Sequence, residues 1–573
     1  MTQPAKSAAK KAAVKKSTTK IGTEKVLALR IANAPRLSSA KDAKGRLAGW
    51  LQEISRSTLG KSLKALIGNS TKLAALLCGL ADGSPFLWDL AVAEPARLLG
   101  ILQSDPDKRF AQLLLETARA VEATRDEAEA MRLLRRMKSE AALLIAIADI
   151  GGAWPVMRTT RALTELADAA VQLALRFLLR DAARRGRLKP PNPKAPEEGS
   201  GHIVLAMGKM GAYELNYSSD IDLIVFYDPE APGLADKDEA AAFHVRITRG
   251  LVKLLQERTG DGYVFRVDLR LRPDPASTQA AVSVETALNY YGSIGQNWER
   301  AAMIKARVCA GDFKAGAAIL KELQPFIWRK YLDFAAVADI EAMKRQIHAY
   351  KGHEDIAVEG HNVKLGRGGI REVEFFVQTQ QLIAGGRHPE LRGRETLPML
   401  DAMVEGGWIK KDARADLRAA YEFLRHVEHR LQMVADDQTH TLPLEREDME
   451  RFARFAGFKD RDDFAETLLG HMRKVQRHYA RLFEDAGDRP DDKKLSFPKK
   501  ADDRDTLDRL GMLGFKKPLE VSGTVRGWLE GAYPSLKGEL ARSQLGELAP
   551  VLIERLARSE NPDVAVASFD RFL

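Results

Sequence analysis

Residues 202–228 read His-Ile-Val-Leu-Ala-Met-Gly-Lys-Met-Gly-Ala-Tyr-Glu-Leu-Asn-Tyr-Ser-Ser-Asp-Ile-Asp-Leu-Ile-Val-Phe-Tyr-Asp, and this stretch limits what the rest of the chain can fold around. The apolar run 203–207 has the length of a buried strand. Gly208 and Gly211 break it and permit a tight turn whose backbone approaches a phosphate closely. A second apolar run, 223–227, begins where Asp220 and Asp222 stand one residue apart. Side chains alternate along a strand, so these two carboxylates point the same way. Like charges held together repel unless a cation lies between them, and an all-oxygen site suits Mg²⁺, or Mn²⁺.

A third carboxylate fits the same geometry. Over residues 262–272, Tyr263, Phe265, Val267, Leu269 and Leu271 alternate with Arg266, Asp268, Arg270 and Arg272, which predicts a strand with one apolar and one basic face. If that strand lies beside the aspartate pair, Asp220, Asp222 and Asp268 form a three-carboxylate metal cluster, catalytic and metal-binding at once. Arg266, Arg270 and Arg272 would neutralise phosphate oxygens. Gly208, Lys209, Gly211 and Ser219 complete the phosphate-binding set on the near side. No Walker-type spacing of Gly-x₄-Gly-Lys-Ser/Thr occurs here.

A glycine turn after a strand, an Asp-x-Asp pair and a later Asp on a basic strand resemble the polymerase-β-type nucleotidyltransferases. The run 208–223 with Arg-Val-Asp-Leu-Arg-Leu-Arg-Pro downstream resembles, more narrowly, the bifunctional glutamine synthetase adenylyltransferase/adenylyl-removing enzymes. Three further stretches agree: Trp298-Glu299-Arg300 running into Ile304-Lys305-Ala306-Arg307; 364–375, Lys-Leu-Gly-Arg-Gly-Gly-Ile-Arg-Glu-Val-Glu-Phe; and Glu428-His429-Arg430-Leu431-Gln432. The resemblance implies an α+β fold, with a polymerase-β-type core inserted between largely α-helical domains. Glu214-Leu215-Asn216 is similar to the removing half, since the adding half tends to carry threonine at the position of Asn216. It further implies metal-dependent phosphorolysis of adenylylated glutamine synthetase, with phosphate as acceptor and ADP as product, and the PII signalling protein as a regulatory partner. Lys305 and Arg307 are expected to reach the nucleotide phosphates. The Gly-rich turn 366–369 opens a helix, where backbone N–H groups favour anions, and related protein uridylyltransferases carry a similar stretch.

Two cysteines in apolar surroundings, Cys78 and Cys309, point to a reducing cytoplasm and away from disulfides or zinc. No apolar run approaches a membrane span. The net charge of +10 is concentrated in residues 1–25, which hold seven lysines and one glutamate and leave only about +4 for the remainder. That distribution argues against a nucleic-acid groove and for a disordered basic tail over 1–25. Next come a helical domain over 26–186, a catalytic core over 187–324 opened by the Pro- and Gly-rich loop 186–201, and a helical bundle over 325–487. A charged linker over 488–505 leads to the start of a regulatory region, 506–573, in a chain expected to be truncated. Within the bundle, Phe423, Val427 and Leu431 step by four, and His426 and His429 fit structural roles better than a metal. Tyr290 and Tyr291 fit core packing better than adenine stacking, behind a helix capped by Ser283. The alternatives are a forward-acting protein adenylyl- or uridylyltransferase, a nucleic-acid nucleotidyltransferase, and a non-catalytic scaffold.

Overall fold

Apolar residues at three- and four-residue steps build the helices that carry a small sheet. The computed structural model describes residues 25–329, 356–484, 495, 497, 504–530, 532–533, 539–557, 559 and 561–572. The expected basic tail, apart from Lys25, and most of the expected linker lie outside the described residues. The chain forms two compact units, 1–480 and 481–573.

In the first unit, helix α1 (Glu127–Ile150) starts where Asp126 accepts the Ala128 N–H at 3.2 Å. Its second half is buried all round, from Ala141 to Ala148. Helix α2 (Val156–Arg184) buries the stripe Leu163, Leu166, Ala170, Leu173 and Phe177 that the periodicity predicts. Both helices pack against the sheet region through one shared core that includes Val204, Leu223 and Val225.

The sheet has five strands: β1 (His202–Ala206), β2 (Ile221–Tyr227), β3 (Val267–Asp268), β4 (Val282–Ser283) and β5 (Arg307–Gly311). Its order is β3-β2-β1-β5, with β4 also on β2. β1 runs antiparallel to β2 and β5, whereas β3 and β4 run parallel to β2, so the sheet is mixed and the class α+β. Between β1 and β2 lies a single helical turn, α3 (Gly208–Gly211), and between β2 and β3 lies α4 (Ala240–Gln256). Ser283 caps the following helix by accepting the Thr286 N–H at 3.1 Å. Tyr291 on that helix is buried against Phe326, as core packing requires.

The strand expected over 262–272 is much shorter. The Val264 and Phe265 N–H groups both donate to the Leu255 carbonyl and tie the chain to the end of α4. After one paired step, the Asp268 carboxylate accepts the Arg270 N–H at 2.8 Å and turns the chain away. Local side-chain capture of the backbone thus ends the alternating pattern early.

Beyond the sheet, α5 (Ile370–Ala384) and α6 (Lys411–Met433) pack together and form the helical wall of the site. The second unit has its own core, centred on Leu510, Val525, Trp528 and Ile553, with the Trp528 indole donating to Asp570 at 2.8 Å. Among the described residues no single helix is long and apolar enough to cross a membrane.

Candidate active site at the aspartate strands

The parallel register pairs Ile221 with Val267 and Asp222 with Asp268, so the second aspartate and the later one stand side by side on neighbouring strands. The Ile221 N–H donates to the Arg266 carbonyl at 2.9 Å, which places Asp220 at the mouth of the same strand pair. Burial, then the neighbouring Asp268, pushes the Asp222 carboxyl up to about 6, with Asp220 adding to the push and Lys364 and Lys209 opposing it. Asp222 therefore sits among like charges, and among the described residues no ion pair holds it. Gly208, at φ +51°, lies directly beneath it: a Cβ there would stand 2.8 Å from Asp222 Oδ2. A glycine is required at that position both by the backbone and by the carboxylate above it.

The other two carboxylates hold cations. Arg266 Nε donates to Asp220 Oδ1 at 2.6 Å, and its Nη1 reaches the Tyr263 hydroxyl at 2.7 Å. Gln438, with its amide oriented to satisfy both ends, donates to both Asp220 oxygens at 3.2 Å. Arg270 Nε donates to Asp268 at 2.9 and 3.0 Å, and with the Arg270 N–H this holds the Asp268 carboxyl low against the opposing push of burial. Among the described residues, no three His, Cys, Asp or Glu side chains already converge as a ligand cage. Two of the carboxylates are instead turned onto guanidinium groups.

The basic residues separate into three kinds. Lys209 extends from α3 to Glu428 of α6, with Nζ 3.0 and 3.2 Å from its carboxylate oxygens. His440 approaches the same carboxylate at 2.8 Å. Although burial alone would raise it, Lys209 leads the cationic groups that hold Glu428 far below the usual carboxylate range. Lys305 is buried between Glu374 at 2.9 Å and Glu214 at 3.5 Å. Arg307 donates to Asp168 at 2.8 Å and to the Met210 carbonyl at 3.0 Å, with its guanidinium 4.1 Å from the Tyr213 ring centroid. Arg272 staples the 269–278 loop through the carbonyls of Leu269, Pro275 and Thr278. Arg270 is mostly exposed and stands at the open edge of β3. Ser219 donates to the Asp220 carbonyl at 3.0 Å. Gly211 serves packing, since a Cβ there would overlap the Lys305 carbonyl.

Lys364 is different. Its own N–H and that of Leu365 are capped by the Asn362 side chain at 3.0 and 2.8 Å. Val363 donates to the His440 carbonyl at 2.9 Å, which brings the loop beside the Glu428 cluster. The Lys364 ammonium acts on Asp222, Lys209 and His440 through space, yet among the described residues no ion pair or hydrogen bond engages it. It is a cation facing the aspartates with its charge uncommitted. Sequence reasoning found this stretch by its glycines and passed over the lysine in front of them.

The helical wall was also only partly legible. Gln432 accepts the Ser218 N–H at 2.8 Å, and Arg425 donates to the Glu214 carbonyl at 2.6 Å. Thr396 donates to Glu214 from its backbone at 2.6 Å and from its hydroxyl at 3.0 Å. The signal was present: residues 425, 428 and 432 fall on one helical face by their three- and four-residue spacing. His429 lies 3.4 Å and Arg430 3.1 Å from the buried Asp149, so that pair of motif residues is structural.

An α+β chain with aspartates on adjacent parallel strands and a helical wall of cations and carboxylates defines the class of site. Residues 74–322 match the family model described as glutamate-ammonia ligase adenylyltransferase, and 339–483 match that described as GlnD PII-uridylyltransferase. The aspartates thus fall in the first match, and Lys364 and Glu428 in the second. The chain is similar to proteins named bifunctional glutamine synthetase adenylyltransferase/adenylyl-removing enzyme. Those of Bradyrhizobium diazoefficiens, Rhodopseudomonas palustris (strain HaA2) and Xanthobacter autotrophicus are 57%, 56% and 55% identical to it. Each match covers 96% of this chain and 55% of the relative, so the chain spans about half the length of the curated relatives it matches.

Proposed function

We propose that this chain removes AMP from an adenylylated tyrosine of glutamine synthetase by phosphorolysis, as a cytoplasmic regulator of nitrogen assimilation built on a polymerase-β-type core. The observation that carries the reading is the Asp222–Asp268 register, with Asp220 at its mouth. It supports a site for a divalent cation, Mg²⁺ or Mn²⁺, because Asp222 is buried beside two like charges and the bare backbone of Gly208 leaves room beneath it. Asp222 and Asp268 would hold that ion with Asp220, once Arg266 and Arg270 turn to the substrate. The ion would neutralise charge on the phosphoryl oxygens.

The remaining roles belong to side chains of this protein. An oxygen of hydrogenphosphate attacks the AMP phosphorus, the bond to the tyrosine oxygen breaks, and the phosphate proton passes to that oxygen, giving ADP and a free tyrosine. Attack of one anion on another requires fixed positive charge. Lys364 supplies it without leaving a partner, and Arg266 and Arg270 supply it by exchanging a carboxylate for a phosphate. Lys209, Lys305 and Arg307 hold the site together through Glu428, Glu374 and Asp168. The removing direction is supported by Asn216, which is buried next to the Glu214 anchor.

The test is direct. Given adenylylated glutamine synthetase and phosphate, the purified chain should release ADP, and given unmodified glutamine synthetase with ATP or PII with UTP it should label neither. Labelling of either protein without phosphate-dependent ADP release would reverse the assignment.

A further inference from the structure

On the side of α6 away from the aspartates, a half-open cleft of about 730 Å³ lies between the end of α1, the segment 32–36 and the turn 455–458. Trp154, Phe423, Phe455 and Phe458 line it and give its walls broad apolar faces. Its volume is that of a small-molecule site.

Two guanidinium groups share that lining, those of Arg36 and Arg430. Arg36 is exposed, and its Nε donates to the Gly457 carbonyl at 3.2 Å, which ties it to the turn 455–458. Arg430 is 8% exposed and donates from Nη1, to Asp149 Oδ2 at 3.1 Å and to the Met433 sulfur at 3.5 Å. Among the described residues nothing accepts from Nη1 and Nη2 of Arg36, or from Nε and Nη2 of Arg430.

The carboxylate in the lining is already paired. Although burial alone would raise it, Arg430 and then His429 hold the Asp149 carboxyl well below the usual carboxylate range. Burial pushes the His426 imidazole down to about 4, so it carries no charge at neutral pH. Two guanidinium groups against one carboxylate leave the cleft with positive charge to spare. An ammonium entering there would meet repulsion. A carboxylate would gain charge-assisted hydrogen bonds from donors whose planar fork matches its two oxygens. The aromatic walls lower the local dielectric and strengthen that attraction relative to open water.

We propose that this cleft binds a small organic carboxylate, with its charged end on the free N–H groups of Arg36 and Arg430 and its apolar body against Phe423, Phe455 and Phe458. The occupant would rest on the face of α6 that carries Phe423, His426 and Arg430. The opposite face carries Arg425, Glu428 and Gln432, which hold Glu214, Lys209 and Ser218. The ligand would thus sit on the same helix that clamps the aspartate site.

Calorimetric titration of the full chain with 4-phenylbutyrate tests this without any substrate, so it stands or falls apart from the phosphorolysis reading. Saturable binding is expected, at least tenfold tighter than that of 4-phenylbutyramide, which keeps the ring and the chain and lacks the charge. Phenethylamine, of opposite charge, should bind at least tenfold more weakly as well. Replacing Arg430 would strip the buried Asp149 of its leading cation and endanger the fold, so the variants are placed at exposed lining residues. Arg36→Gln removes one guanidinium, Ala32→Trp fills the cleft, and each should weaken 4-phenylbutyrate at least tenfold. Absent binding, equal binding of the amide or the amine, or indifference to either variant would overturn the proposal.

Discussion

Asp222 is the residue at which the cost of the site is concentrated. Its carboxyl is raised from 3.8 to about 6, by burial first and Asp268 second. A raised acid stabilises the fold fully below its unfolded value, and that stability is lost as pH climbs through about 6. At about 1.4 kcal/mol for each pH unit between the two values, the loss reaches about 3 kcal/mol. Asp222→Asn should therefore raise the melting temperature at pH 7.5 and leave it nearly unchanged at pH 4. The same variant should lose at least 100-fold in phosphate-dependent ADP release, as expected when a ligand to a catalytic ion worth several kcal/mol is removed. Adding Mn²⁺ at pH 7.5 should raise the melting temperature of the parent protein and not of the variant. Lys364→Met belongs to the same scale. With no partner to orphan among the described residues, it should leave melting unchanged and raise the KM for phosphate about tenfold or more, as measured by initial rates across phosphate concentrations.

At the scale of elements, the turn α3 and the helix α6 depend on each other. Lys209→Met takes from the fully buried Glu428 its leading cation and leaves it His440 and Arg425, and breaking a buried pair from one side costs up to about 3–5 kcal/mol. Lys209→Met with Glu428→Gln should recover much of that loss, a pattern that urea denaturation of the single and double variants would reveal. How much of this was legible follows from the range of each interaction. The strand runs, the glycine turn, the aspartate pair and the stripe of α2 are local periodicities, and they appear as read. The length of β3 was not legible, because the capture of the Arg270 N–H by Asp268 competes with alternation and leaves no mark in the pattern. Nor was the use made of Lys305 and Arg307: a lysine near a phosphate site and one locked between Glu374 and Glu214 look the same until Glu374, 69 residues onward, is in place.

For the whole molecule, the sheet supplies the carboxylates, and the helical wall anchors the residues around them, Lys209, Glu214, Ser218 and Lys305. A chain ending at residue 329 keeps all five strands and loses Lys364, Glu374, Thr396, Arg425, Glu428, Gln432 and Gln438. Such a fragment should show no phosphorolysis, and its melting temperature should fall by many degrees, since Lys209 loses Glu428, Lys305 loses Glu374, and Glu214 loses Thr396 and Arg425. Circular dichroism melts of the fragment beside the full chain would measure this, and an equal melting temperature would mean that the wall is dispensable. The Lys209–Glu428 contact spans 219 residues of sequence, and that separation acts in time as well as in space. At a synthesis rate of about 5–20 residues per second, the strands and their aspartates leave the ribosome roughly 10–40 seconds before the helix that closes over them. During that interval the newborn chain carries a lysine, three aspartates and a buried glutamate awaiting their partners. It is a period in which a chaperone has something to hold and the site has as yet no wall to close it.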